Sequence, residues 1–197
     1  EKSLKDQSIW PGFDQVVPHM EQEIREFFAS VMLDPSERFA SLYTANHTYV
    51  NEPLAQHYGI SGVVGDEFQR VETNDRGGVL RNGAFMARWA ENVETAPFRR
   101  AAKVRRRTLC QPMPAPPAGV DDERQGLLEL HEEFIAAETT TNREKYEVLT
   151  STGTCVACHQ ELMTPLAMGM EDYNSVGNLR TEDLNGNLIN AIGTLYA

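Results

Sequence analysis

Cys155-Val156-Ala157-Cys158-His159, followed closely by Met163-Thr164-Pro165, decides how this chain is read. Two cysteines three positions apart on a helical turn carry their sulfurs on one side, where both can reach the two vinyl groups along one edge of a porphyrin. The adjacent histidine then projects its imidazole beneath the ring and ligates iron from the proximal side. Anchored by thioethers, such a cofactor needs no deep pocket, so a loop-rich chain can hold it. Three other chemistries use two close cysteines. A disulfide would leave His159 accidental. Zinc would need further ligands, and no second Cys-x-x-Cys or His-x3-His is present. A thioredoxin-like redox pair belongs in a βαβ context, which the surrounding pattern lacks. The five-residue pattern therefore points to one covalent haem c, with Cys155 and Cys158 as anchors and His159 as an iron ligand.

The remaining sequence fits a helical host. From Val17 to Met32, apolar residues recur at steps of three and four (Val17, Met20, Ile24, Phe27, Phe28, Val31 and Met32), with Glu21, Glu23 and Arg25 between them. Pro35 after Asp34 predicts a second helix through Leu42. Asn51 predicts a cap for a helix over 52–58, which Gly59 ends. The glycine-rich stretch 60–78 reads as loop with room for one short strand. Helices are then predicted over 83–92, over 95–110 with Thr95 as cap, over 121–138, and over 142–149 after a threonine run. Pro112-Met113-Pro114-Ala115-Pro116-Pro117 stops helix formation and predicts an extended segment. Asn185-Gly186 marks a tight turn, the place for one small β-hairpin near the C-terminus. The expected fold is mainly α and irregular, with long loops around a c-type haem. Residues 1–72 form an N-terminal helical region and 73–197 a haem-binding region, packed as one unit.

Composition narrows function further. The 197 residues carry 29 acidic and 18 basic side chains, a formal net charge of −11. That balance argues against nucleic acid, whose phosphates demand lysine and arginine. No apolar run reaches the roughly 18 residues of a membrane span. The opening Glu1-Lys2-Ser3-Leu4-Lys5-Asp6 has no apolar leader. Haem attachment takes place outside the cytoplasm, so a periplasmic or otherwise exported location is expected. Arg99, Arg100, Lys103, Arg105, Arg106 and Arg107 gather a third of the basic residues into one block. It reads as a solvated helix face, or as a patch for haem propionates or an acidic partner. Cys110 is left as a buried free thiol, or as the partner of a cysteine outside this chain.

Tyr49-Val50-Asn51-Glu52-Pro53-Leu54-Ala55-Gln56-His57-Tyr58-Gly59-Ile60, Arg76-Gly77-Gly78-Val79-Leu80, Thr95-Ala96-Pro97-Phe98-Arg99-Arg100 and Leu109-Cys110-Gln111 stand in a characteristic order. Cys155 to His159 follows, then Met163 to Tyr173, Gly177 and Arg180. In these motifs the chain resembles a large bacterial family of exported, cytochrome-associated, multi-domain proteins of unknown function, over about residues 10–195. The resemblance implies a redox role inferred from the haem motif, and little enzymology. The chain departs from the family pattern at Ala101, Leu149, Thr164, Ala167 and Met168. Relatives commonly place a histidine at the position of Leu149.

The sixth iron ligand separates a carrier from a catalyst. Of seven methionines, Met163 would share a helix face with His159. Beyond Pro165 the chain can cross the ring edge, which makes Met168 the favoured iron ligand, ahead of Met170 and of His47, His57 and His131. Arg180 is a candidate partner for a propionate. The expectation is a c-type cytochrome-like electron-transfer protein or subunit, working with other redox proteins or subunits of a larger complex. The alternatives are a peroxidase-like haem enzyme with an open distal site, and a structural subunit of a membrane-associated complex.

Overall fold

The computed structural model describes residues 5–195 and resolves two compact units. The first comprises residues up to Glu94 together with Tyr173–Leu179. The second comprises Thr95–Asp172 and the chain from Arg180 onward. As the sequence predicts, the fold is mostly helical and irregular.

The first unit is built on α1 (Phe13–Met32), whose buried residues include Phe13, Met20, Phe27 and Val31. The helix starts one turn earlier than its periodicity suggests. Pro18 lies near enough to the N-terminus that few intrahelical bonds are lost. α2 (Ser41–Thr44), α3 (Glu52–Tyr58) and α4 (Gly83–Arg88) follow. Asn51 caps α3 as expected, accepting from the Leu54 amide, and Gly59 ends it at φ 71°. The helix expected from Pro35 does not form. The Asp34 carboxylate accepts from the Ser36 amide and hydroxyl, closing an Asx turn that competes with helical geometry.

β1 (His47–Val50) pairs antiparallel with β2 (Gln69–Glu72), His47 opposite Glu72 and Val50 opposite Gln69. This is the one two-stranded sheet among the described residues, and it lies far from the C-terminus. At Asn185-Gly186 there is a turn with a single antiparallel bridge, Glu182 to Leu188, rather than a hairpin of two strands. Asp183 holds that turn by accepting from the amides of Asn185 and Asn187. The core of the unit packs Phe13, Met20, Val50, Leu54, Ala55, Ala87 and Val176.

Within this apolar core sits a charged knot. The Glu23 side chain is fully buried. It accepts from the Thr48 hydroxyl at 2.5 Å and the Tyr58 hydroxyl at 2.7 Å. Arg76 lies with its guanidinium carbon 3.6 Å above the Tyr58 ring and donates to the Gly177 carbonyl at 2.7 Å. Burial pushes the Glu23 carboxyl up to about 7, against the opposing pull of Thr48, Tyr58 and Arg76. The native state therefore holds a proton that the unfolded chain releases near 4.5. This contribution to stability is full below about pH 4.5 and is lost as pH rises through about 7. Glu23→Gln should flatten that dependence, by roughly 1 kcal/mol per pH unit across the window. Urea midpoints of both proteins at about pH 5 and about pH 8 would read it. Parallel shifts in the two proteins would show that Glu23 is ionised throughout.

The second unit contains α5 (Pro97–Arg107), α6 (Val120–Leu130), α7 (Glu132–Ala136), α8 (Asn142–Leu149), α9 (Cys155–Cys158) and α10 (Thr164–Met168). α5 opens on Pro97, but Thr95 does not cap it. Its hydroxyl instead donates to the buried Glu171 carboxylate at 2.8 Å. The helix expected over 121–138 breaks at His131 (φ −114°, ψ 21°). Neither α6 nor α7 has a fully buried residue that would hold the two in line. α8 matches its predicted bounds, with Thr141 and Glu144 forming a capping box.

Candidate haem-attachment site

α9 is a single turn, and its two ends are the cysteines of the motif. Glu123 of α6 reaches the start of that turn, accepting from the Thr154 amide at 3.0 Å and from the Thr154 hydroxyl. The chain then continues through a π-helical turn, His159–Met163, into α10. Such wider turns are rare and recur at functional sites. Here the turn alters the spacing on which a shared face for His159 and Met163 was predicted.

Cys155, Cys158 and His159 all line one cavity of about 320 Å³. Its other walls are largely apolar, including Pro114, Pro116, Pro117, Val120 and Leu162. The His159 ring stands edge-on to Phe98 of α5, centroids 4.3 Å apart at 64°, and Phe98 stands in turn 4.7 Å from Tyr146 of α8. Burial lowers the pKa of His159, which keeps the imidazole neutral as a metal ligand requires. Its Nδ1 is buried without a hydrogen-bond partner. Burial, and then the negative charge of Glu123, push the Cys155 thiol up. That disfavours the reactive thiolate of a disulfide oxidoreductase.

These observations fit a c-type haem. Two thiols on one turn, a neutral imidazole with an orphaned ring nitrogen, and apolar walls make a donor set of the right chemistry. Zinc would need more. Among the described residues there is no group of three or more His, Cys, Asp or Glu side chains placed to hold a metal ion.

Other residues singled out in the sequence lie elsewhere. Met168 is fully buried on α10, and Met163 and Met170 are buried too, but none of them lines the cavity. Arg180 pairs with Glu171 at 3.3 Å and also donates to the Glu171 carbonyl. Arg100 is fully buried and donates to the Met170 carbonyl at 2.8 Å, while Arg105 is 3% exposed. The basic block is therefore not a single solvated face: Arg99, Arg106 and Arg107 are its exposed members. Cys110 is exposed rather than buried, at φ 53°. Two contributors escape the sequence reading. Phe98 stood in the Thr95–Arg100 motif with no sign that it would face His159, and the proline run was legible as a helix stop but not as a cavity wall.

No helix among the described residues is long and apolar enough to cross a membrane. A mostly helical, irregular chain with Cys-x-x-Cys-His on a helical turn has the features of a cytochrome-associated protein. The chain belongs to the PSCyt3 family, described as a protein of unknown function (DUF1588), which matches residues 76–183, more than half its length. Residues 1–60 match a second family, PSD4, also described as a protein of unknown function (DUF1592). Neither a curated protein nor a solved structure matches the chain.

Proposed function

We propose that this chain is an exported, haem c-binding electron-transfer protein or subunit of a larger redox assembly. The observation that carries the reading is the convergence of Cys155, Cys158 and His159 on one largely apolar cavity, with the His159 Nδ1 buried and unpartnered. The bound group would supply a one-electron iron couple. The chain's own residues do the rest. Cys155 and Cys158 tether the group by thioethers. His159 offers a neutral imidazole whose plane Phe98 restrains from the side. The proline run and Leu162 would give the group an apolar lining, and the degree of solvent exposure is one lever by which a protein sets a haem potential.

The test is a pyridine haemochrome spectrum of the protein exported with a haem-attachment system. A c-type band at one haem per chain is the expected result, and its absence sinks the proposal. One observation favours a second reading, an oxidoreductase with an open axial position: no methionine is among the described residues lining the cavity. A high-spin spectrum that shifts on adding cyanide would select it. A low-spin spectrum indifferent to cyanide would select the carrier, with Met168 the first variant to examine.

A further inference from the structure

Arg105 is an unusual member of the basic block. A guanidinium 3% exposed is costly to bury unless its donors are used. Here its Nε donates to the Leu162 carbonyl at 2.8 Å, and its Nη1 donates to the Gln111 side-chain oxygen. The Gln111 amide donates back to the Arg105 carbonyl at 2.9 Å. Leu162 belongs to the π-helical turn that begins at His159 and is itself a cavity wall. Gln111 immediately precedes the proline run whose residues 114–117 form another wall. A single buried cation thus bonds directly to both the segment that carries the histidine and the segment that faces it.

The proline-rich wall has few other means of staying in place. The 111–117 segment has no helix or strand, and no ladder of backbone bonds fixes its position. The π-helical turn is followed by α10, whose Pro165 has no amide hydrogen to donate to the preceding turn. Charge-assisted hydrogen bonds from a planar guanidinium are both stronger and more directional than neutral ones. A lysine can reach one of these acceptors but cannot present the same fork to both.

We propose that Arg105 is a positioning residue that clamps the proline-rich wall to the His159 turn and so keeps Cys155 covered. The clamp is a property of the folded chain and can be read without haem, while its effect on the cofactor rests on the function proposed above.

The test uses the full chain, made without haem in a Cys110→Ser background. The reaction of the two remaining thiols with Ellman's reagent reports the uncovering of Cys155, which is 7% exposed. Arg105→Ala should speed the slower thiol at least about tenfold, which is what losing about 1.4 kcal/mol of closure produces. Arg105→Lys should fall between Arg105→Ala and the parent. Val50→Ala, a core truncation in the first unit, controls for general loosening and should leave that rate near the parent's. In haem-loaded protein, Arg105→Ala should keep its haem stoichiometry but show a shifted midpoint potential as the site becomes wetter. A thiol rate within about twofold of the parent's for Arg105→Ala, or an equal gain in Val50→Ala, overturns the clamp. A faster thiol in a protein that never acquires haem keeps the clamp and removes the function proposed above.

Discussion

Protein exported with both Cys155 and Cys158 changed to serine is expected to carry essentially no covalently bound haem, against one per chain in the parent. A serine hydroxyl does not add to a vinyl group as a thiol does, so both tethers disappear together. Each single variant should keep a weaker, one-tether attachment, because the two sulfurs lie at opposite ends of the single-turn α9 and line the same cavity. His159→Ala separates tethering from ligation. The thioethers remain possible, but the iron loses its proximal imidazole, so the spectrum should become high-spin. Haem stain on a denaturing gel, with the mass of the intact chain, distinguishes these cases. Circular dichroism confirms that the variants are folded. Haem retained by the double serine variant through denaturation would place the attachment elsewhere and remove Cys155 and Cys158 from the site.

Gly77→Ala should have the largest effect on stability. A Cβ built there would stand 1.8 Å from the Ala45 carbonyl oxygen, 2.6 Å from its carbon and 2.9 Å from the Asn46 Cα. All three are backbone atoms just before β1, so no side chain can swing aside. Gly77 also follows Arg76, the buried cation over Tyr58. Displacing it would loosen the stacking of Arg76 on Tyr58 and its bond to the Gly177 carbonyl as well as the packing. A loss of at least about 3 kcal/mol is expected, at the upper end of overpacking costs. That corresponds to a fall in Tm on the order of 10 °C for a chain of this size. Gly126→Ala is the matched contrast. A Cβ there meets nothing within 4 Å, and it lies inside α6. It should be neutral or stabilise by up to about 1 kcal/mol. Thermal melts of the two variants that coincide would show that the close approach at Gly77 relaxes without cost.

How much of this was legible in the residues depended on whether the cause was local. Asn51, Gly59 and Thr141 act on their own neighbours, and their helix boundaries stand where the sequence places them. The Cys-x-x-Cys-His motif is local too, so its three side chains could be grouped before any fold was known. Thr95 has the identity of a cap, but its hydroxyl is taken by Glu171, 76 positions along the chain. β2 lies in the stretch where the sequence leaves room for one short strand, but its partner β1 and their pairing across a long connection have no short-range pattern to announce them. The basic block shows the same limit most plainly. Charge spacing on a helix cannot distinguish Arg105, which is held by two acceptors in the interior, from Arg106, which is exposed.

The return of residues 173–179 to the first unit has a consequence for the order in which the protein can be completed. His57 reaches the Val176 carbonyl across 119 positions, Arg76 reaches Gly177 across 101, and Tyr173 reaches Asp75 across 98. None of these bonds can form on a growing chain until residues 173–177 have been synthesised. By then the Cys155–His159 segment has already emerged. Contacts of such long range slow folding, because their loops must close before they are rewarded. The N-terminal half thus waits for its last pieces while the cysteine motif is already available, giving the motif a head start over the closure of the first unit.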